Sequence, residues 1–185
     1  MVPEAHVTFF DSLTLPTPLG RLVQAAGRAV QAKWDTPRIL NQLQKMQART
    51  QGYFTLNSLK YLVHGGRISH IKGLMASVLK IRPIIGPEKE HGTYVSLAQD
   101  VTLNRALNRI PEIVARTFSQ DHQLRVQLLH GQNLEGVEVL RQAISRKFNC
   151  VFDPVAVVSP ALGAHTGSSL VGLAAGDPEV FAGLL

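Results

Sequence analysis

Residues 58–71, SLKYLVHGGRISHI, contain two consecutive glycines followed by an arginine inside an otherwise apolar run. A glycine in a helix interior costs about 1 kcal/mol relative to alanine, so a plain helix through Gly65 and Gly66 is disfavoured. The pair instead predicts a tight turn or a close approach of two backbone segments. Arg67 follows directly, where its guanidinium could bind an anion. The alternative is an ordinary surface arginine after a turn.

A second segment whose residues could bind a ligand is ALGAHTGSS, residues 161–169. Small residues flank His165, and small flanks leave room for a ligand against the backbone. His165 could donate to a carboxylate or phosphate, and Thr166 could add a hydroxyl. The alternative is a turn between strands whose histidine is hydrogen-bonded within the protein. The pattern alone does not separate these readings.

Other reactive side chains have simpler interpretations. Asp11 and Ser12 end a predicted strand, where capping the next segment is favoured over catalysis. Cys150 is predicted to be a small buried residue, with a Cys–His catalytic pair as the alternative. The sequence contains no HExxH, P-loop, GxGxxG or GxSxG motif, so we predict neither a metal site nor a nucleotide cofactor.

Composition narrows the class of protein. The chain has 185 residues, one cysteine and a net charge of +6. The charge raises nucleic acid as a partner, but the basic residues are scattered, and Arg38, Lys45 and Arg49 fit a solvated helix face. We find no signal peptide pattern and no run of about 18 apolar residues. Together with the single cysteine, which allows no internal disulfide, these features predict a cytoplasmic protein that does not bind nucleic acid.

Hydrophobic periodicity predicts alternating helices and strands, an α/β or α+β pattern. Thr36 is predicted to cap the second helix, with Pro37 in its first turn. The predicted helices are 19–32, 36–50, 58–62, 72–80, 101–118 and 134–148, and the predicted strands are 6–10, 53–56, 82–85, 93–97, 124–129, 155–158 and 169–174.

Four segments taken in order resemble the DegV family of fatty-acid-binding proteins. They are FFDS near the start, SLKYLVHGGRIS, ASVLKIRPIIG and ALGAHTG. The resemblance covers nearly the whole chain, with three departures. The N-terminal third of the family pattern is absent, and the family's H-T-G-P-G becomes HTGSS at residues 165–169. The segment after the central hairpin reads DVTLNRA at residues 100–106 and lacks the basic residue at the place usual in the family.

The resemblance implies an α/β fold with a DegV-like two-domain architecture. Residues 1–62 would be the remnant of an incomplete first domain, and residues 63–185 a complete second domain with a mixed sheet and the acyl-chain pocket. The glycine turn would lie at the domain junction, so that Arg67 faces the cleft. The fatty-acid-binding residues implied by the resemblance are Ser12, Arg67, His165, Thr166 and Gly167.

The function implied by the resemblance is to hold a long-chain fatty acid and present its carboxylate to a separate fatty acid kinase. Such a protein would be a carrier without a cofactor, and not an enzyme. Two alternatives remain: a truncated remnant or interaction module without lipid activity, and a basic nucleic-acid binder supported by charge alone. Missing first-domain strands would leave an exposed sheet edge near residues 7–10 or 53–56, which predicts self-association.

Overall fold

The computed structural model describes residues 6–14, 17–74, 80–88 and 93–182. Its helices are Thr17–Gln31 (α1), Thr36–Ala48 (α2), Lys60–His64 (α3), Leu103–Val114 (α4), Leu134–Ser145 (α5) and Pro160–Thr166 (α6), with 3₁₀ turns at Ile68–His70 and Pro178–Phe181. Its strands are Thr50–Thr55 (β1), Ile71–Lys72 (β2), Arg82–Glu88 (β3), Thr93–Asp100 (β4), Leu124–His130 (β5), Cys150–Phe152 (β6), Ala156–Val157 (β7) and Val171–Gly176 (β8).

Across these residues the strands form one mixed sheet in the order β2-β4-β3-β1-β8-β5-β6, with β7 also paired to β5. Strands β1 and β8 lie at its centre and are antiparallel to each other. Strand β8 is also antiparallel to β5, whereas β6 and β7 run parallel to β5. The predicted α/β class with a mixed sheet is therefore confirmed.

One face of the sheet packs against α4 and α5 and forms the largest apolar core. Alternate residues of β5 and β8 point into it, as the two-residue period of a strand requires. Its fully buried members include Leu107, Ile110, Leu128, Leu140 and Leu173. This face holds the sheet rigid beneath the elements on the opposite side.

The opposite face is covered in part by α1 and α2, and it contains a buried arginine. Arg21 on α1 forms an ion pair with Asp153, which also accepts from Arg125 at 2.8 Å. The Arg21 guanidinium stacks on the Phe181 ring, 4.8 Å from its centroid. Burial lowers the pKa of Arg21 to about 10, while Asp153 acts to raise it and Arg125 to lower it. The ion pair therefore offsets part of the cost of burying the charge.

A separate apolar cluster lies under α3 and the turn that follows it. Its buried members are Leu56, Leu59, Leu62, Ile71 and Ile85, and Phe54 and Tyr94 pack against them. These two rings are 5.9 Å apart between centroids in a tilted arrangement. The cluster joins β1, α3 and β2, so it anchors the glycine-containing segment to the sheet.

The strand predicted at residues 6–10 is absent. Those residues form no regular structure, and Val7 and Phe9 are 70% and 91% exposed. The prediction was wrong because no described strand runs beside this segment to complete its hydrogen bonds. The edge predicted at residues 53–56 is also absent, since β1 pairs with β3 on one side and β8 on the other.

Three smaller differences concern helices. Asp35, not Thr36, caps α2, because its carboxylate accepts from the backbone N–H of Arg38 at 2.9 Å. Residues 160–166 form helix α6, although the sequence also allowed a turn between strands as one interpretation of this segment. The helix predicted at 72–80 lies mostly outside the described residues.

The division of the chain into domains at residues 1–62 and 63–185 stays a prediction. Strand β1, from residues 1–62, pairs with β3 and β8, which belong to residues 63–185.

Candidate functional site

The two glycines form the predicted turn at the end of α3. The backbone N–H of Gly65 donates to the carbonyl of Tyr61 at 2.8 Å, and that of Arg67 donates to the carbonyl of Leu62 at 2.8 Å. Gly66 has φ +67°, in the left-handed region that favours glycine. The chain therefore reverses direction at the end of the helix and places Arg67 beyond it.

The glycine pair was also interpreted as a possible site of close approach between two segments, and Gly65 makes such an approach to His165. A Cβ at this position would overlap Nδ1 of His165 and lie 3.0 Å from the carbonyl oxygen of Tyr61. Glycine therefore lets the imidazole of His165 pack directly on the backbone of the turn. The two segments singled out in the sequence are thus brought together in space.

Helix α6 supplies His165 and Thr166. The hydroxyl of Ser159 caps the helix by accepting from the backbone N–H of Leu162 at 3.4 Å. The Thr166 hydroxyl donates to the carbonyl of Leu162 at 3.1 Å, so its hydrogen is used within the helix. Its oxygen can still accept a hydrogen bond. Leu162 and His165 are three residues apart and so lie on one face of the helix.

These residues meet at an apolar cavity of about 230 Å³ between α3, α6 and the sheet. Arg67, His165 and Thr166 all line it. Arg67 is exposed, and its Nη1 donates to the carbonyl of Gly65 at 2.7 Å, which places the guanidinium beside the turn. The remaining lining residues are Phe54, Leu62, His70, Ile71, Tyr94, Leu162 and Leu170.

His165 has an unused hydrogen-bonding atom. Its Nδ1 is buried and has no hydrogen-bond partner in the described part of the chain. Leaving such an atom unpaired costs about 1–3 kcal/mol, and buried polar atoms are normally paired with protein, water or ligand. Because Nδ1 lies against Gly65, the part of the imidazole that a ligand could contact is the part that lines the cavity.

Gly167 and Ser12 lie outside this cavity. Gly167 has φ +77° and packs under the Tyr61 ring, which a Cβ would overlap, so it positions the end of α6 against α3. Ser12 lines a different depression together with Gln47 and Pro87, and its hydroxyl donates to the carbonyl of Thr14 at 3.3 Å. A ligand-binding role for these two residues stays a prediction.

Sequence reasoning missed the apolar wall of the cavity. Phe54 and Tyr94 come from strands β1 and β4, and Leu170 precedes β8. Each was visible only as an apolar residue in or beside a strand. Their convergence depends on the strand order, which periodicity does not reveal.

A second cavity of about 630 Å³ lies on the other side of α6. It is bounded by the start of α1, by β5 and by β7, and Leu162 and His165 line it as well. Its other lining residues are Thr17, Leu19, Gly20, Gln24, Gln127, Leu129, Ala156, Val157, Val158, Ser159 and Ala161. None of them is charged. We refer to it as the α1 cavity and to the first as the α3 cavity.

Three further observations bear on the class of protein. Within the described ranges, no three His, Cys, Asp or Glu side chains are grouped as a metal site would need. No described helix has the length and apolar character to cross a bilayer. Burial raises the pKa of the Cys150 thiol to about 11, so the nucleophilic thiolate is scarce at neutral pH.

A mixed α/β sheet with an apolar cavity, rimmed by an arginine and a histidine, defines an α/β protein with a candidate ligand site. The particular family follows from comparison with known proteins. The model of the DegV family, described as an uncharacterised protein family, matches residues 1–176. The chain belongs to the DegV family.

Relatives and solved structures agree with this assignment. A DegV domain-containing protein of Clostridium perfringens is 30% identical over 164 residues, covering 89% of this chain and 58% of the relative. The structure of a fatty acid binding DegV family protein from Streptococcus agalactiae aligns with a TM-score of 0.76 at 22% identity, covering 95% of this chain and 61% of that one.

A further solved structure is that of a DegV family protein from Eubacterium eligens loaded with heptadecanoic acid. It aligns with a TM-score of 0.77 at 16% identity, covering 95% of this chain and 62% of that one. The chain therefore spans about three fifths of the length of the proteins it matches.

Proposed function

We propose that this chain binds a long-chain fatty acid, with the carboxylate near Arg67 and His165 and the acyl chain entering the α3 cavity. The observation that carries the proposal is the composition of that cavity: apolar walls, with a guanidinium and an imidazole beside them. A fatty acid has the same division into one anionic end and one apolar chain.

The carboxylate is matched by Arg67 and His165. A guanidinium forms charge-assisted hydrogen bonds to carboxylates, which are roughly twice as strong as neutral ones. Arg67 is exposed, and its carbonyl contact with Gly65 uses Nη1 and leaves the other guanidinium nitrogens for a ligand. The half-buried imidazole of His165 adds a second polar group to the same wall.

The acyl chain is matched by the aromatic and aliphatic lining. Burying one methylene contributes about 0.8 kcal/mol, so a chain packed between Phe54, Tyr94 and Leu170 gains affinity with each carbon that leaves water. No cofactor is needed for such binding. The Streptococcus agalactiae protein is a fatty acid binding DegV family protein, and the Eubacterium eligens protein is loaded with heptadecanoic acid.

The physiological role that we propose is that of a cytoplasmic carrier that presents the bound carboxylate to a fatty acid kinase, and not that of an enzyme. The exposed position of Arg67 supports it, because a carboxylate held there stays accessible to a second protein. The assignment of residues 1–62 and 63–185 to two domains belongs to the same proposal.

A second candidate function is an interaction module without lipid activity. The size of the α3 cavity favours it, because about 230 Å³ lies below the range of about 300–1,000 Å³ for pockets that enclose drug-sized ligands.

The test is a direct titration of the purified 185-residue chain with palmitic and oleic acid, together with mass spectrometry after denaturing extraction. We expect a fatty acid in the extract and saturable binding. Arg67→Ala should raise Kd by about one to two decades, since a hydrogen bond to a charged group contributes roughly 1.5–3 kcal/mol.

Arg49→Ala is the matched control, because Arg49 is an exposed arginine that pairs with Asp177 at 3.2 Å and does not line the α3 cavity. It should leave Kd unchanged. Equal affinities for the two variants would refute the assignment of Arg67 to the head group. An empty extract and no saturable binding would favour the interaction module.

A further inference from the structure

The two cavities on either side of α6 share a wall. Among the described residues, Leu162 and His165 alone line both the α3 cavity and the α1 cavity. They lie one helical turn apart on the same face of α6. A ligand that extends from one cavity into the other must therefore pass these two side chains.

The volumes of the two cavities limit the length of the acyl chain that each can hold. Pockets that enclose drug-sized ligands measure about 300–1,000 Å³, and the α3 cavity has only about 230 Å³. The α1 cavity has about 630 Å³ and carries no charged residue. A short acyl chain can be enclosed by the first cavity alone, whereas a long chain needs space beyond it.

The two side chains of the wall differ in how firmly they are held. His165 packs on Gly65, and a shift toward α3 would bring it against the backbone of the turn. Leu162 is half-buried, with apolar space on both sides. The leucine side chain is therefore the part of the wall that substitution can remove without displacing the imidazole.

We infer that Leu162 determines the longest acyl chain that this protein binds, by separating the α3 cavity from the α1 cavity. This inference rests on the proposed fatty-acid binding. Shortening Leu162 widens the connection between the two cavities, so that more carbons are buried in the α1 cavity. Enlarging it narrows the connection and restricts the ligand to the α3 cavity.

The experiment measures Kd for saturated acids from C8 to C18 with the full chain and three variants. Within the length that fits, each added methylene should lower Kd about fourfold, and beyond it Kd should level off. Leu162→Ala should move the levelling point to longer chains, and Leu162→Trp should move it to shorter chains. Val157→Ala is the control, because Val157 lines the α1 cavity but not the shared wall.

The outcomes separate the inference from the proposed function. Saturable binding with the same levelling point in all four proteins would overturn the role of Leu162 and leave fatty-acid binding intact. No binding by any of the four would remove the proposed function, and the inference with it. If Leu162→Ala does not fold by circular dichroism, Leu162→Trp decides: an unchanged levelling point refutes the inference.

Discussion

Gly65 and Gly66 are adjacent but meet different constraints. Gly65 has an ordinary helical conformation and is limited by the imidazole of His165, which occupies the space of a Cβ. Gly66 has φ +67° and open space around it. The same substitution at the two positions therefore separates the effect of displacing His165 from the effect of backbone strain.

We predict that Gly65→Ala weakens fatty-acid binding and that Gly66→Ala does not. The new methyl group at residue 65 pushes His165 away from its position, so Kd should rise about tenfold or more if a charge-assisted hydrogen bond is lost. At residue 66 the cost is conformational, about 1–2 kcal/mol of unfolding free energy. Isothermal titration and urea unfolding measure both. Equal Kd values for the two variants would contradict a ligand-binding role for His165.

At the scale of elements, α1 is attached to the sheet through a charged contact as well as an apolar one. Its Leu22, Ala25 and Ala29 are buried, and Arg21 reaches Asp153 beyond the end of β6. Because Asp153 also binds Arg125, removing Arg21 leaves the carboxylate paired but opens a cavity above Phe181. This arrangement leads to a prediction about stability.

Arg21→Ala should lower the free energy of unfolding by about 2 kcal/mol, less than the roughly 3–5 kcal/mol for leaving an uncompensated buried charge, because Arg125 still pairs with Asp153. Arg28→Ala is the control, since Arg28 is an exposed residue of the same helix. Equilibrium urea unfolding followed by circular dichroism measures both. A loss below about 1 kcal/mol for Arg21→Ala would show that the ion pair contributes no more than a surface pair.

The elements with strong periodicity could be predicted from the sequence. Leu107 and Ile110 of α4, and Leu140 and Ile144 of α5, point to one core, and both helices are present despite Pro111 in α4. Helix α6 was not predicted, because ALGAHT is too short and too rich in small residues for an apolar stripe. It forms because Ser159 caps it and α3 packs against it.

The candidate site was predictable only in part, for a related reason. Arg67 and His165 were identified because glycines interrupt an apolar pattern around them, which is a local signal. The apolar wall from Phe54, Tyr94 and Leu170 required the pairing of β1 with β8 and of β3 with β4. Such pairings join residues far apart in the chain, and local patterns carry no information about them.

At the scale of the whole molecule, β6 is an end strand of the sheet formed by the described residues. It pairs with β5 on one side, and its Val151 is 45% exposed. Exposed apolar edges are templates for pairing with a second chain. Of the two end strands, β2 has only two residues, so β6 is the edge where we expect self-association, and not the segments near residues 7–10 or 53–56.

We predict that the chain self-associates at high concentration and that Val151→Lys reduces this association, because lysine on an edge strand opposes pairing. Val101→Lys is the control, since Val101 is exposed and lies outside the strands. Sedimentation velocity over a concentration series measures the association. A monomer at every concentration would exclude the edge as an interface, and equal association of both variants would place the interface elsewhere.

The central position of β8 has a consequence for how the chain reaches its native state. Strands β1 to β4 pair among themselves, as do β5, β6 and β7, but the two groups are joined only through β8 in the described sheet. Residues 171–176 follow all the other described strands in the chain, so until they are made each half-sheet exposes an unpaired central edge. Closing these gaps requires pairing Thr55 with Val171, across more than a hundred residues, and such distant pairings form slowly. The newly made chain is therefore most vulnerable to aggregation before β8 is inserted between β1 and β5.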